Sequence, residues 1–136
     1  MAPKILVVDD DADTRRILRY ILEPLTAVIE AEGGADALRK IKSERPQLVL
    51  LDLVMPEVGG LEVLDSGMRD DPALKIVMLT GQADIGVARN ALERGARAFI
   101  TKPIDPERLR EVVEDLLSSE GGGGDAEGRK PWRVVG

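Results

Sequence analysis

Five short apolar runs, separated by longer polar segments, constrain the fold of this chain more than any other feature of the sequence. Each run is nearly continuous in hydrophobicity and rich in leucine or β-branched residues, as strands buried on both faces of a parallel sheet are. We therefore predict five strands of one parallel sheet. They are Ile5–Val8, Ala27–Ala31, Leu48–Leu51, Ile76–Leu79 and Ala98–Ile100.

The segments between the runs carry apolar residues at helical spacing and predict amphipathic helices. Asp13 and Asp84 are suited to cap two of these helices. Pro24 is expected to distort the end of the first helix, Gly95 to close another in the left-handed conformation, and Pro106 to begin the last. Strand–helix units repeated in this way imply right-handed crossovers and a doubly wound α/β sandwich.

Two further groups of residues fit ordinary structural roles. Arg15, Arg16 and Arg19 are expected to form a solvated face of the first helix. Gly59 and Gly60 are expected to shape the loop after the third strand, by positive φ or by close backbone approach.

The chain has 136 residues, 43% of them apolar and 32% charged, which fits one globular domain. We place this domain at residues 1–118 and predict that residues 119–136 form a flexible, glycine-rich tail with a short basic–apolar end. No apolar run approaches the roughly 18 residues of a membrane span, so no membrane association is expected. The absence of cysteine suits a cytoplasmic location.

The chain contains no histidine and has a net charge of −6. The absence of histidine excludes imidazole-based catalysis and imidazole metal sites. No basic cluster is long enough to follow a phosphate backbone, so direct binding to nucleic acid is not expected. Any chemistry must therefore use carboxylates, hydroxyls, lysine and arginine.

Polar side chains with complementary chemistry follow or end four of the five runs. Asp9 and Asp10 follow the first run, Asp52 the third, Thr80 the fourth, and Lys102 comes shortly after the fifth. The carboxyl ends of parallel strands meet at one edge of an open sheet, and ligands bind there. We therefore expect these side chains to form one site.

Crowded carboxylates repel one another unless a hard cation lies between them, and oxygen ligands favour Mg²⁺. Lys102 as a point charge and Thr80 as a hydroxyl donor would complete a phosphoryl site. Without histidine, the available nucleophile is a carboxylate, and its product is an acyl phosphate.

The segments ILVVDDDADTRRIL, LVLLDLVMPEVGGLEVL, IVMLTG and GARAFITKP resemble response-regulator receiver domains, from about Lys4 to Leu117. The resemblance implies a flavodoxin-like (βα)5 fold with strand order 2-1-3-4-5, an order that comes from the family and not from the residues themselves. It also implies that Asp52 is the phosphoacceptor and that Asp9 and Asp10 are its acidic pair.

The same resemblance assigns the remaining roles. The metal, Mg²⁺, would be held by the acidic pair, by the phosphoacceptor and by the backbone carbonyl of Val54. Thr80 matches the switch hydroxyl, Phe99 the switch aromatic and Lys102 the lysine of the phosphoryl site. Val54 and Gln82 occupy the two positions that flank the approach of a hydrolytic water, and they are expected to set the lifetime of the phosphoryl group.

These residues predict a phosphorylation-dependent signalling switch rather than a turnover enzyme, one that catalyses only its own phosphotransfer and autodephosphorylation. Its donor would be a histidine kinase or a histidine phosphotransfer protein, and its output an unidentified downstream protein. Two alternatives stay open: the N-terminal receiver of a longer DNA-binding regulator, and a receiver-like module that acts without phosphate. A haloacid-dehalogenase-type phosphatase is disfavoured, because Val54 stands where that family has a second aspartate.

Overall fold

The computed structural model describes residues 3–53, 55, 57–81, 85–118 and 133–135, with positions 80, 85, 87, 88 and 133–135 described by their backbone alone. The strands are β1 Lys4–Val8, β2 Ala27–Ala31, β3 Leu48–Asp52, β4 Lys75–Thr80, β5 Ala98–Thr101 and β6 Arg133–Val135. The helices are α1 Ala12–Leu22, α2 Gly34–Glu44, α3 Gly60–Asp70, α4 Ile85–Glu93 and α5 Pro106–Ser118. None of the helices in these ranges is long and apolar enough to cross a membrane.

All neighbouring strands pair in parallel, in the order β2-β1-β3-β4-β5-β6. The five predicted strands and their order are therefore confirmed, and the fold is the expected flavodoxin-like α/β sandwich. The sixth strand was not predicted. It lies in the segment expected to be a flexible tail and places Val134 beside Phe99 at the β5 edge of the sheet.

The sheet separates two apolar cores, because successive side chains of a strand point to opposite faces. In β1, Leu6 and Val8 belong to one core, whereas Ile5 and Val7 belong to the other. Helices α2, α3 and α4 cover the first core, and α1 and α5 cover the second. The helical residues that close the second core are Leu18, Ile21, Leu22, Leu109, Val112, Val113 and Leu116.

The helix ends correct one prediction and confirm another. Asp11, not Asp13, is the N-cap of α1, because α1 begins directly after the β1 loop and the Asp11 carboxylate accepts a 3.1 Å hydrogen bond from the Asp13 amide. Gly95 follows α4 with φ +116° and donates its amide to the Leu92 carbonyl, as predicted. The predicted cap Asp84 lies outside the described residues.

The loop after β3 contains two adjacent glycines, and the backbone is crowded at the second of them, Gly60. A Cβ on Gly60 would lie 2.4 Å from the backbone oxygen of Asp52 and 2.8 Å from the Cα of Leu53. A Cβ on Gly59 would meet nothing within 4 Å. Close backbone approach at Gly60 therefore fixes how α3 begins beside the end of β3.

Gly60→Ala is expected to lower the free energy of unfolding by about 1–3 kcal/mol, because the added methyl group forces the backbone at Asp52 to shift. Gly59→Ser is the matched control: it also adds a Cβ, serine suits the N-cap position that Gly59 occupies, and stability should change by about 0.5 kcal/mol or less. Urea unfolding of the two variants measures both effects. Equal loss in the two proteins would contradict the close approach at Gly60.

Candidate functional site

Three aspartates meet at the carboxyl edge of the sheet. Asp9 and Asp10 follow β1, and Asp52 is the last residue of β3, the strand that lies next to β1. One carboxylate oxygen from each lies within 4.8 Å of the others. Asp9 and Asp52 are buried, with 1% and 6% of their surface exposed, whereas Asp10 is open to solvent. The site is thus a carboxylate pocket with one solvent-facing side.

Lys102, just beyond β5, brings a positive charge to this pocket. Its Nζ lies 2.9 Å from Asp9 Oδ2 and 3.7 Å from Asp52 Oδ2. Burial alone would lower the pKa of Lys102, but the hydrogen bond to Asp9 and the charges of Asp52 and Asp9 outweigh burial and hold that pKa above 10.5. As far as the ionisation of Lys102 is concerned, this contact stabilises the fold at neutral pH, and the stabilisation is lost as pH rises through the raised pKa of Lys102 in the folded protein.

Asp9 is held by hydrogen bonds at its backbone and at both carboxylate oxygens. Oδ1 accepts a 2.9 Å hydrogen bond from the Asp11 amide, while Oδ2 accepts the bond from Lys102. Its backbone amide donates to the Ala31 carbonyl of β2 at 3.2 Å, and its carbonyl accepts from Arg15 Nη1 at 2.6 Å. Asp9 thus acts as a fixed anion that orients Lys102 toward Asp52.

The donor atoms of the pocket fit a hard divalent cation. Three carboxylates face one ammonium group, so the cluster keeps a net negative charge at neutral pH. Carboxylate oxygens are the ligand type that Mg²⁺ uses in proteins. Both carboxylate oxygens of Asp9 accept hydrogen bonds, from Asp11 and Lys102, whereas Asp10 is exposed and open to an ion from solvent. The predicted carbonyl ligand, Val54, lies outside the described residues.

The other predicted site residues are placed less directly. Thr80 ends β4, and the residue before it, Leu79, pairs with Asp52, so the Thr80 backbone lies beside the pocket. Phe99 of β5 is 1% exposed and packs in the core covered by α2, α3 and α4. Gln82, like the Val54 position, lies outside the described part of the chain.

Arg15 was not predicted to belong to the site. We expected it on a solvated helix face, which is correct for Arg16, with a side chain 76% exposed, and wrong for Arg15, with a side chain 13% exposed. Arg15 bridges the carbonyl of Asp9 and the carboxylate of Glu30 in β2. The sequence signal for this contact was Glu30 itself, a charged residue inside an otherwise apolar strand.

Known proteins resemble this chain over most of its length. A family model described as the response regulator receiver domain matches residues 5–114. The chemotaxis protein CheY of Listeria monocytogenes is 36% identical over 113 residues, which cover 82% of this chain and 95% of that protein. The crystal structure of a CheY-like receiver domain protein from Methanospirillum hungatei superposes with a TM-score of 0.82 at 33% identity, covering 86% of this chain and 94% of that one.

Longer regulators also match. The nitrogen assimilation regulatory protein NtrX of Azorhizobium caulinodans is 37% identical over 122 residues, which cover 88% of this chain but only 27% of that protein. The chain is therefore similar both to proteins of about its own length and to one part of larger regulators.

Lys102→Met is expected to lower the free energy of unfolding of the metal-free protein by about 1–3 kcal/mol, because Asp9 stays buried without its charged partner. The substitution also removes a cation that competes with Mg²⁺ for the carboxylates. Mg²⁺ should therefore raise the urea midpoint more in the variant than in the parent. Lys42→Met, which removes a lysine whose side chain is 73% exposed, is the matched control. The same Mg²⁺ response in both variants would contradict this account of Lys102.

Proposed function

The chain belongs to the response-regulator receiver family, whose members are phosphorylation-dependent signalling switches of two-component systems, and we propose that its phosphoacceptor is Asp52. One observation carries this proposal: Asp52 ends a central strand in a pocket that combines two further carboxylates with an ammonium group 3.7 Å away. Asp9 is the more deeply buried of the two, with 1% of its surface exposed against 6% for Asp52, and both of its oxygens accept hydrogen bonds, from Asp11 and Lys102.

We propose that the pocket binds Mg²⁺ through Asp10 and Asp52, with the Val54 carbonyl as a third protein ligand and Asp9 adding negative charge nearby. Held by these groups, Mg²⁺ would supply positive charge to the oxygens of the incoming phosphoryl group. This assignment is supported by the all-oxygen donor set and by its net negative charge.

In the proposed transfer, an Asp52 oxygen attacks phosphorus in line as the bond to the donor nitrogen breaks. The donor is a histidine kinase or a histidine phosphotransfer protein, and we place the exchange in the cytoplasm. Lys102 stays protonated throughout, because its pKa lies above the ordinary value, and its charge faces the developing acyl phosphate. The protein thus catalyses only its own phosphorylation and dephosphorylation.

The proposed output uses Thr80 and Phe99. The Thr80 hydroxyl would bind a phosphoryl oxygen, and the resulting shift of β4 would change the packing of Phe99 in the adjacent strand β5. Because Phe99 is fully buried, it cannot move without repacking its neighbours, which favours two discrete states over a gradual change. A downstream protein, rather than nucleic acid, would read the altered surface.

A second candidate is a receiver that controls an output domain of a longer regulator. It is favoured by two matches that cover only part of a longer protein. The match to NtrX covers 27% of that protein, and the match to a probable transcriptional regulator, ycf27, of Porphyridium aerugineum covers 48% of that one. The chemistry proposed for Asp52 is the same in both candidates, and only the partner of the switched surface differs.

Incubation with acetyl phosphate and Mg²⁺ is expected to add one phosphoryl group per chain, and Asp52→Asn should abolish it. Intact-protein mass spectrometry measures the addition. Asp71→Asn, at a turn that precedes β4, is the matched control and should label like the parent. Equal labelling of Asp52→Asn would contradict the assignment, and an unlabelled parent would favour a module that acts without phosphate.

The lifetime of the phosphoryl group is expected to depend on Val54 and Gln82. Valine cannot orient a water molecule, whereas asparagine can, so Val54→Asn should release phosphate faster than the parent. Gln82→Ala should release it more slowly, because it removes the remaining polar group. Phosphate release from the three purified phosphoproteins measures the order. A Val54→Asn protein no faster than the parent would show that water alignment at this position does not limit hydrolysis.

A further inference from the structure

Arg15 connects three elements of the fold through one guanidinium group. It lies in the first turns of α1, its Nη1 donates a 2.6 Å hydrogen bond to the Asp9 carbonyl, and its Nε donates a 3.0 Å bond to Glu30 of β2. The side chain is 13% exposed, so these bonds are largely shielded from water. A planar guanidinium with donors in fixed directions is well suited to hold two acceptors at once.

Glu30 is in turn held by hydrogen bonds at its carboxylate and at its backbone carbonyl. Its second carboxylate oxygen accepts a 2.7 Å bond from Arg19, and its backbone carbonyl accepts a bond from Lys40 of α2. The hydrogen bond from Arg19, followed by that from Arg15, lowers the pKa of Glu30 despite its partial burial. Glu30 therefore stays ionised at neutral pH and gives Arg15 a fixed anchor.

The carbonyl that Arg15 holds belongs to the peptide between Asp9 and Asp10. Rotation of that peptide would turn the Asp10 backbone and redirect its carboxylate. The Asp9 amide and carboxylate have their own partners, but among the described residues Arg15 is the one side chain that donates to this carbonyl. Asp10 itself is exposed, so packing does little to fix its direction.

We propose that Arg15 is a positioning residue for the metal site: by holding the Asp9 carbonyl, it fixes the direction in which Asp10 presents its carboxylate to the cation. The inference rests on the proposed function, since it concerns the same Mg²⁺ pocket. Groups that orient metal ligands without touching the metal commonly change metal affinity by about 10- to 100-fold when they are removed.

The test compares Arg15→Gln with Arg19→Gln. Both variants remove one positive charge and one hydrogen bond to Glu30, but only Arg15 reaches the Asp9 carbonyl. The Mg²⁺ dissociation constant is measured by titration followed through backbone amide signals, and stability by urea unfolding without metal. Arg15→Gln is expected to weaken Mg²⁺ binding by about tenfold, while Arg19→Gln should bind like the parent although both lose stability.

The sign of the change in Mg²⁺ affinity distinguishes a positioning role of Arg15 from a simple effect of its charge. Removing a cation near three carboxylates should by itself tighten the binding of a dication. Weaker binding in Arg15→Gln therefore cannot come from the lost charge. Arg15→Lys, which keeps the charge and one donor for the Asp9 carbonyl, should recover part of the affinity and serves as the test variant if Arg15→Gln does not fold.

Two results would overturn the proposal. In the first, the Arg15→Gln protein is less stable than the parent but binds Mg²⁺ equally well, which would make the role of Arg15 purely structural. The other is an equal loss of affinity in Arg15→Gln and Arg19→Gln, which would assign the effect to Glu30 rather than to the Asp9 carbonyl. A parent protein that binds Mg²⁺ but accepts no phosphoryl group would overturn the proposed function and leave the Arg15 comparison valid.

Discussion

Mutual repulsion among three carboxylates is the constraint on which the arrangement of this molecule depends. Oxygens of Asp9, Asp10 and Asp52 lie within 4.8 Å of one another, where two full charges repel by about 3.5 kcal/mol or more at an effective dielectric constant of about 20. Lys102 offsets only part of this repulsion. The favourable free energy must come from elsewhere, and the apolar side chains buried on both faces of the sheet supply it.

The sequence predicted the strands well, because strands buried on both faces leave continuous apolar runs. It placed their ends less well. Lys75 and Thr80 extend β4 by one residue at each end. Three other strands are each one residue longer than predicted: β1 by Lys4, β3 by Asp52 and β5 by Thr101, and all five added residues are polar. Backbone pairing with the neighbouring strand, not hydrophobicity, decides where a strand ends, and single-chain patterns do not contain that pairing. The three-residue strand β6 is too short for any periodicity to reveal.

The chemical groups of the site were also predictable, since each stands at or just beyond the end of an apolar run. What the pattern could not supply was the pairing among them. Lys102 bonds to Asp9 more closely than to Asp52, and Arg15 turns inward while Arg16 faces solvent. Both facts depend on side-chain directions that an apolar pattern does not encode. Glu30, a charged residue inside the apolar run of β2, was the sequence feature that pointed to a cation nearby.

Lys102 and Phe99 lie three positions apart on one segment, and this closeness ties the pocket to the core. Lys102 Nζ is nearer to Asp9, at 2.9 Å, than to Asp52, at 3.7 Å. New negative charge on Asp52 would draw the ammonium the other way, and the backbone that leads into Lys102 is the end of β5. Phe99 in that strand is enclosed by packed neighbours, so any displacement of its side chain would require those neighbours to repack. If Asp52 is the phosphoacceptor, as proposed, a small electrostatic displacement at the sheet edge would be converted into an all-or-none change in packing.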